Sequence, residues 1–299
     1  SGLSGSITLP ASLTSIGDKV FFSCSSLNSV NFNELILLES IGKQAFYNSG
    51  IINAITFPSS LTSIGDEAFR QCPGLTDVSF QQNSQLTTIG SRAFQQSTIR
   101  NTITFPASLK IISDDAFYRC YKLSSVSFEN GSQLETIGSN TFRESGLSGS
   151  ITIPASLNSM GSFLFYKCSG MTSVNFEQGS QLMTVGSRIF ENTSLSSFSA
   201  PESVLLLFGV EVGESQTVGG KANVFVSVSG NTIQMTTGMN LIGMPFGGSI
   251  KGDNITVVYK HDPDKLTYQV IEKTNDEFGD HYESQENKGY LVKPNDNNR

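Results

Sequence analysis

The sequence predicts a repeat solenoid followed by a smaller all-β domain. A 48-residue unit occurs four times, starting at Ile7, Ile55, Ile103 and Ile151, and each unit contains two similar halves of 26 and 22 residues. Internal periods of this length are typical of stacked coils, in which each coil contacts only its neighbours. The repeat fades near residue 204, and strand-like runs separated by Gly, Asn and Asp turns follow. We therefore predict eight coils over 1–204 and an antiparallel β domain over 205–299.

The coils follow the pattern L-x-x-I-G-x-x-x-F-x-x-C/S-x-x-L, followed by a short β-prone run, with Met160 or Val185 in place of the isoleucine and Ser113 in place of one glycine. The phenylalanine occurs once per coil, and we expect its copies to stack as one aromatic spine. The members of this spine are Phe21, Phe46, Phe69, Phe94, Phe117, Phe142, Phe165 and Phe190. The glycine of the I-G pair predicts either a turn with positive φ or a close approach of backbone between coils.

The β-prone run of each coil alternates apolar and polar residues, as in Leu75, Val78 and Phe80. A period of two indicates a strand with one buried face. In the 22-residue coils the run ends at a proline such as Pro58, which fits a strand end because proline cannot donate to the ladder. One strand per coil, in register with the next coil, predicts one parallel β-sheet along the solenoid.

The four cysteines, Cys24, Cys72, Cys120 and Cys168, lie 48 residues apart, one in every second coil. Coils rise by about 4.8 Å each, so that successive cysteines are separated by roughly 10 Å. A disulfide needs Cα atoms within about 7 Å. This spacing argues against both a disulfide and a cysteine-rich zinc site, and predicts buried thiols.

Composition and motifs argue against several classes of function. The net charge is −7 and no basic stripe is present, so we predict neither nucleic-acid nor anionic-membrane binding. No apolar run reaches the ~18–20 residues of a membrane-spanning helix. His261 and His281 are the only histidines, and neither lies near a cysteine or a G-x-S-x-G motif. We predict no enzymatic activity, no cofactor and no metal site, and interpret the acidic residues of 262–283 as solvated loops rather than calcium ligands.

The outward strand positions carry small side chains and no aromatic anchor. In three coils they are Thr76, Asp77, Ser79, Ser124, Ser125, Ser127, Thr172, Ser173 and Asn175. Binding hot spots favour Trp, Tyr and Arg. This face therefore suits solubility, or a carbohydrate, better than a protein partner.

The two residues after each spine phenylalanine vary between coils while their flanks repeat. The first of these rows reads Phe22, Tyr47, Arg70, Gln95, Tyr118, Arg143, Tyr166 and Glu191. The second row reads Ser23, Asn48, Gln71, Gln96, Arg119, Glu144, Lys167 and Asn192. Either these residues cover an exposed edge, or they form a ligand-binding ridge that points outward. The candidate partner-binding residues are Phe22, Tyr47, Arg70, Tyr118, Arg119, Arg143, Tyr166 and Lys167.

Both ends of the repeat carry further signals. Residues 1–13 nearly repeat 145–157, which predicts a longer array whose first apolar layer, Leu3, Ile7, Leu9 and Leu13, is exposed and able to self-associate. Beyond the coils, the run VLLLFGVEV at 204–212 is interpreted as a strand. Turn residues at 229–231 and 261–264 predict hairpins, and a small sandwich is the expected domain.

The motif I-G-x-x-A-F-x-x-C-x-x-L-x-x-V-x-F, intact from Ile64 to Phe80, resembles the BspA-like class of leucine-rich repeats over residues 1–204. The resemblance implies a right-handed solenoid from a cell-surface or secreted protein, and several members of the class are adhesins. Segments at 238–243, 257–262 and 288–292 resemble a β module of secreted prokaryotic surface proteins. We therefore expect a non-enzymatic extracellular binding module whose partner is a protein or glycan on a cell surface or matrix. The alternative is a structural stalk or self-assembling fibre.

Overall fold

The computed structural model describes residues 2–210 and 215–228 together with six strands further along the chain. Between residues 4 and 199 the chain forms a β-solenoid of about eight turns, each with one short and one long strand. This confirms the predicted coils. The right-handed sense of the solenoid stays a prediction.

The short strands form one continuous, parallel, eight-stranded sheet at the I-G motifs. Their residues lie in register, so that Ile64 is opposite both Ile41 and Ile89, and this apolar residue is fully buried. The strands are Ser15–Ile16, Ser40–Ile41, Ser63–Ile64, Thr88–Ile89, Ile111–Ile112, Thr136–Ile137, Ser159–Met160 and Thr184–Val185.

The long strands are parallel as expected, but they do not form one sheet, and the prediction of a single parallel sheet is wrong. They pair mostly in twos, and register shifts occur within four of the pairs. The pairing alternates together with the coil length of 26 and 22 residues. The long strands are Ser4–Ile7, Ser26–Val30, Asn53–Phe57, Leu75–Phe80, Asn101–Phe105, Leu123–Phe128, Ser148–Ile153, Gly170–Phe176 and Ser197–Ala200. A 3₁₀ helix, Phe32–Glu34, follows the second of them.

The spine phenylalanines stack through the core, which confirms the prediction. Successive rings lie 4.9–5.8 Å apart with interplanar angles of 4–18°. Side rings such as Phe57 and Phe105 meet the spine edge-on. Offset stacking and edge-to-face contacts are the favoured aromatic geometries, so the spine holds neighbouring coils together as well as filling the core.

Except for Gly17 in the first coil, the I-G glycines meet backbone of the preceding coil at close approach, and positive φ is not the reason for them. None of them adopts a positive φ. A Cβ built on Gly138 would lie 2.5 Å from the backbone nitrogen of Asp114 and 2.7 Å from the carbonyl carbon of Ser113, in the preceding coil. The Gly138 amide also donates to the Ile112 carbonyl at 2.8 Å. Of the two explanations that the sequence left open, the second is correct.

All four cysteines are buried and none forms a disulfide. The Cys120 thiol donates to the Phe94 carbonyl of the preceding coil at 3.1 Å, and Ser97 donates to the Phe69 carbonyl in the same way at 2.6 Å. The cysteine thiol and the serine hydroxyl therefore make equivalent hydrogen bonds to the preceding coil in alternate coils. Burial raises the pKa of Cys120 to about 12, which keeps this thiol protonated and unreactive at neutral pH.

The run at 204–212, interpreted as a strand, instead begins in a helix, Glu202–Phe208, and that prediction is wrong. The helix ends at Gly209, which has a left-handed φ of 64°. Val204 and Leu205 are buried, and Phe208 packs against Phe190 and Phe198. A short leucine-rich run fits either element, and here the need to cover the last core layer decides the outcome.

The chain beyond the helix continues to pack on the last coil. Strand Lys221–Val228 pairs in parallel with Ser197–Ala200 and antiparallel with Ser215–Val218. Its residues Val224 and Val226 belong to the solenoid core. The domain boundary at residue 204 stays a prediction, but the described residues up to Val228 extend the solenoid.

The remaining strands form a four-stranded sheet and a separate pair. They are Thr232–Met235, Gly248–Gly252, Ile255–Asp262, Thr267–Lys273, Phe278–Tyr282 and Leu291–Pro294. The third and fourth pair antiparallel, which confirms a hairpin, although His261 and Asp262 of the predicted turn belong to its first strand. The strands flanking 229–231 have other partners, so that hairpin prediction is wrong. The first two of the six pair in parallel, against the antiparallel expectation. The sandwich stays a prediction; segment 238–243 and most of the acidic loops lie outside the described residues.

Candidate functional site

The ridge, defined as the two residues after each spine phenylalanine, lies on a turn segment that repeats almost unchanged in every coil. Backbone hydrogen bonds join this segment to the next coil, for example from Phe117 to Thr141 at 2.9 Å and from Arg119 to Arg143 at 3.0 Å. The second ridge residue of every coil has a φ of 50–60°. Because the backbone repeats, equivalent side chains lie above one another, and only their chemistry changes along the ridge.

The first cluster of the ridge consists of Phe22, Tyr47 and Arg70. The rings of Phe22 and Tyr47 stack with centroids 4.9 Å apart and an interplanar angle of 8°. The Arg70 guanidinium lies 5.5 Å from the centroid of Tyr47 and forms an ion pair of 2.7 Å with Glu67. These side chains therefore cover each other from coil to coil.

The ridge is interrupted in the fourth coil. Gln95 is only 7% exposed, and its Oε1 atom is buried without a hydrogen-bond partner among the described residues. Beside it, Gln71 donates to Gln96 at 2.9 Å across the coil boundary. Instead of one continuous ridge, the structure has two clusters separated by amide side chains.

The second cluster alternates aromatic rings and cations. Arg143 is sandwiched, with its guanidinium 5.5 Å from the Tyr118 centroid and 5.0 Å from the Tyr166 centroid. The Arg188 guanidinium lies 5.1 Å from the centroid of Phe163. Contacts of this kind contribute ~0.5–1 kcal/mol at exposed sites, so that part of this arrangement stabilises the solenoid itself.

Two carboxylates anchor the cations of the second cluster. Glu144 lies 2.9 Å from Arg119 Nε, 3.7 Å from Arg143 Nε and 3.8 Å from Lys167 Nζ. Glu191 accepts hydrogen bonds from Arg188, and these lower the pKa of Glu191. Both carboxylates are less exposed than the cations that they pair with, and they fix where the basic groups can lie.

The structure changes the expectation that all eight candidate residues point freely outward. Phe22 and Lys167 are exposed, whereas the other six are half-buried because they stack on one another. Sequence reasoning also missed Phe163 and Arg188, which join the second cluster. Both belong to the row two residues before the spine phenylalanine, and that row also varies between coils, which is the signal that could have identified them.

The strand face has its hydroxyl groups paired across coils. Thr56 and Ser79 are linked at 2.9 Å, as are Thr104 and Ser127. Because these groups satisfy one another, this face offers a partner fewer unpaired hydrogen-bonding groups than its composition suggests. The paired hydroxyl groups therefore contribute to the contacts between neighbouring coils.

Two further observations concern the described residues as a whole. No group of three or more His, Cys, Asp or Glu side chains there is placed to hold a metal ion. Within that part of the chain, no helix has the length and apolar character that crossing a bilayer requires. At the first coil Leu3 is 43% exposed, while Ile7, Leu9 and Leu13 are partly buried against the core, so the predicted exposed layer is reduced to one residue.

Comparison with known proteins identifies the class to which this solenoid belongs. The family model for the BspA type leucine rich repeat region matches residues 3–102 and 87–207, in six copies. The matches cover more than half of the chain, and the chain belongs to this family. No curated protein matches the chain.

Three solved structures to which the chain is similar come from bacterial proteins. A leucine-rich repeat protein from Bacteroides ovatus is 22% identical, with a TM-score of 0.51 over 84% of this chain and 75% of its own. The pneumococcal vaccine antigen PcpA is 17% identical, with a TM-score of 0.44 over 83% of this chain and 75% of its own. A leucine rich cell surface protein from Faecalibacterium prausnitzii is 19% identical, with a TM-score of 0.36 over 76% and 79%.

Proposed function

We propose that this chain is a non-enzymatic binding module that acts outside the cell and contacts a macromolecular partner through the ridge. The observation that carries the proposal is the variation of the ridge on an otherwise repeated surface. A repeat copies the residues that its fold requires, so positions that vary between coils are free to serve a ligand. On the ridge these positions carry Tyr and Arg, the residue types that dominate binding interfaces.

The ridge also has the physical properties of a contact surface. Its Tyr and Arg side chains are held by stacking, so less conformational freedom is lost when a partner binds. The strand face presents small residues that already bond one another. This contrast favours the ridge over the strands.

The extracellular location is part of the proposal. It is supported by the resemblance of the repeats to a family whose members are mostly cell-surface or secreted proteins. The expected partner is a protein or glycan on a cell surface or matrix, in keeping with that location. A cell-surface partner is also consistent with the acidic net charge of −7, which disfavours nucleic acid.

A stalk or fibre is the second candidate. Its support is the regular stacking of the coils, whose short strands form one continuous eight-stranded sheet. Light scattering that rises steeply with protein concentration would favour the fibre, and a constant monomer mass would favour the binding module.

The proposed function predicts that ridge and strand-face variants differ in adhesion. We expect the ridge variant Y47A/R70A/Y118A/R119A/Y166A to lose adhesion to cells or matrix that the parent chain binds. The strand-face variant T76A/D77A/S125A/T172A should adhere like the parent. The test is a plate adhesion assay with purified, fluorescently labelled chains.

Thermal unfolding controls for loss of structure. Because ridge contacts contribute roughly 0.5–1 kcal/mol each, the ridge variant should melt at a lower temperature but remain folded at the assay temperature. Full adhesion by the folded ridge variant, together with lost adhesion by the strand-face variant, would assign the site to the strands.

A further inference from the structure

We propose that the second cluster of the ridge binds a linear acidic polysaccharide, whose carboxylate or sulfate groups contact a row of cations that are more exposed than the carboxylates paired with them. This inference rests on the proposed function, since it names the ligand class of the same surface. It goes beyond that function in two ways. It places the binding site on the second cluster alone, and it names the charged side chains, rather than the contact area of the aromatic rings, as the source of affinity.

The outer layer of the second cluster is positive although the chain is acidic. Its charged residues are four cations, Arg119, Arg143, Lys167 and Arg188, and two carboxylates, Glu144 and Glu191. The excess of two positive charges contrasts with the net charge of −7 of the whole chain. The cation side chains are 33–52% exposed, whereas the carboxylates are only 15–24% exposed. An approaching ligand therefore meets cations first.

The cations are arranged as a row with one member in each of four successive coils. Arg119, Arg143, Lys167 and Arg188 belong to the fifth to eighth coils. With coils about 4.8 Å apart, this row extends over roughly 14 Å. The cations occupy three different positions of the turn segment but recur once per coil, which suits a polymer that carries charges along an extended chain.

The row is held in place before any ligand arrives. Arg119 and Lys167 have φ angles of 58° and 60°, and their amides donate to the following coil at 3.0 and 2.9 Å. Glu144 pairs with Arg119, Arg143 and Lys167. Neither the backbone nor the side chains need large rearrangement, which lowers the entropic cost of binding.

The groups that remain accessible suit a polysaccharide better than a protein. The faces of Tyr118, Tyr166 and Phe163 are covered by guanidinium groups at 5.0–5.8 Å. The cluster therefore offers N–H and O–H donors at its surface, rather than an apolar pocket for an anchoring side chain. Protein interfaces usually depend on such anchors in desolvated pockets, whereas a polymer rich in hydroxyl and anionic groups can use donors alone.

The test compares two variants that remove equal charge from different places. R119Q/K167Q removes two cations of the second cluster, and K43Q/K110Q removes two lysines elsewhere. Lys110 is well matched to Lys167, since their side chains are 47% and 50% exposed and each lies near one glutamate. The probe is a fluorescently labelled oligomer of polygalacturonic acid, and the neutral control is the same oligomer fully methyl-esterified. Fluorescence anisotropy measures the affinity at low and at physiological salt.

We expect the parent chain and K43Q/K110Q to bind the acidic oligomer with affinities within twofold of each other. R119Q/K167Q should bind about tenfold more weakly, which corresponds to ~1.4 kcal/mol. Binding by the parent should weaken as salt rises, and the methyl-esterified oligomer should not bind. Equal weakening by both variants, or equal binding of the neutral oligomer, would overturn the proposal.

Two further probes separate ligand classes. Single-stranded DNA and poly-glutamate should both bind the parent more weakly than the acidic oligomer. Equal or tighter binding of either would contradict the choice of polysaccharide. If no acidic oligomer binds while the ridge variant loses adhesion to cells, the ligand class is wrong and the ridge function stands. If the ridge variant keeps full adhesion, the proposed function itself fails.

Discussion

Replacement of Phe117 by alanine should lower the free energy of unfolding by about 3–5 kcal/mol, the usual cost of truncating a buried aromatic residue. Phe117 is fully buried, and its ring stacks on Phe94 at 5.2 Å and on Phe142 at 5.6 Å. The ring of Phe105 meets it edge-on at 5.7 Å. The substitution therefore removes contacts to the coils on both sides and leaves a cavity in the middle of the spine.

Urea denaturation measures this effect, and Tyr121→Ala is the matched control. Tyr121 lies in the same coil but is 62% exposed, so its removal should change stability by no more than about 0.5 kcal/mol. Similar losses for the two variants would mean that the spine does not hold the coils together.

Replacement of Gly138 by alanine should destabilise the solenoid by roughly 2–3 kcal/mol, as overpacking in a close contact commonly does. The added Cβ would lie 2.5 Å from the Asp114 nitrogen and 2.7 Å from the Ser113 carbonyl carbon. These are backbone atoms, which cannot rotate away as a flexible side chain can. The fifth and sixth coils must therefore separate, which weakens the short-strand sheet between them.

Gly17→Ala provides a control at the equivalent position of another coil. There the nearest atom to an added Cβ is Val20 Cγ2, at an ordinary distance of 3.6 Å. We expect stability to change by no more than about 0.5 kcal/mol, measured by thermal unfolding beside Gly138→Ala. If Gly138→Ala leaves the stability unchanged, close approach between coils does not explain why a glycine recurs at this position of the repeat.

The features that recur in every coil were predictable because the repeat presents the same requirement many times. Phe117 and its equivalents occupy one position in each coil, so a stacked spine was the natural interpretation. The cysteines were predictable for a different reason: their spacing of 48 residues is too long for a disulfide in a stacked array. Local pattern and chain geometry agree at these sites.

Features that depend on contacts between coils were less predictable. The helix Glu202–Phe208 arises because the last core layer must be covered, and the run of leucines alone does not reveal this. The long strands pair in twos because of how neighbouring coils of different length meet, which the alternation within Leu75–Phe80 does not encode. In both cases tertiary packing decides the result.

The candidate site was partly predictable. Variation identified the rows that contain Tyr118, Arg143 and Tyr166, but not that these side chains stack on one another. Phe163 and Arg188 were missed because their row is separated from the ridge in sequence, and only the turn of the backbone brings the two rows together. Stacking distances depend on the rise between coils, and the sequence pattern alone does not give that rise.

Selective blocking of the ridge tests the central claim most directly. The variants K167C and T104C place an accessible thiol on the ridge and on the strand face. The native cysteines are buried, so a maleimide-linked polyethylene glycol chain should attach only at the new thiol. Each labelled protein is compared with its own unlabelled form in the adhesion assay. We predict that labelling at position 167 abolishes adhesion while labelling at position 104 leaves it unchanged; retained adhesion with a blocked ridge, and loss with a blocked strand face, would contradict the account.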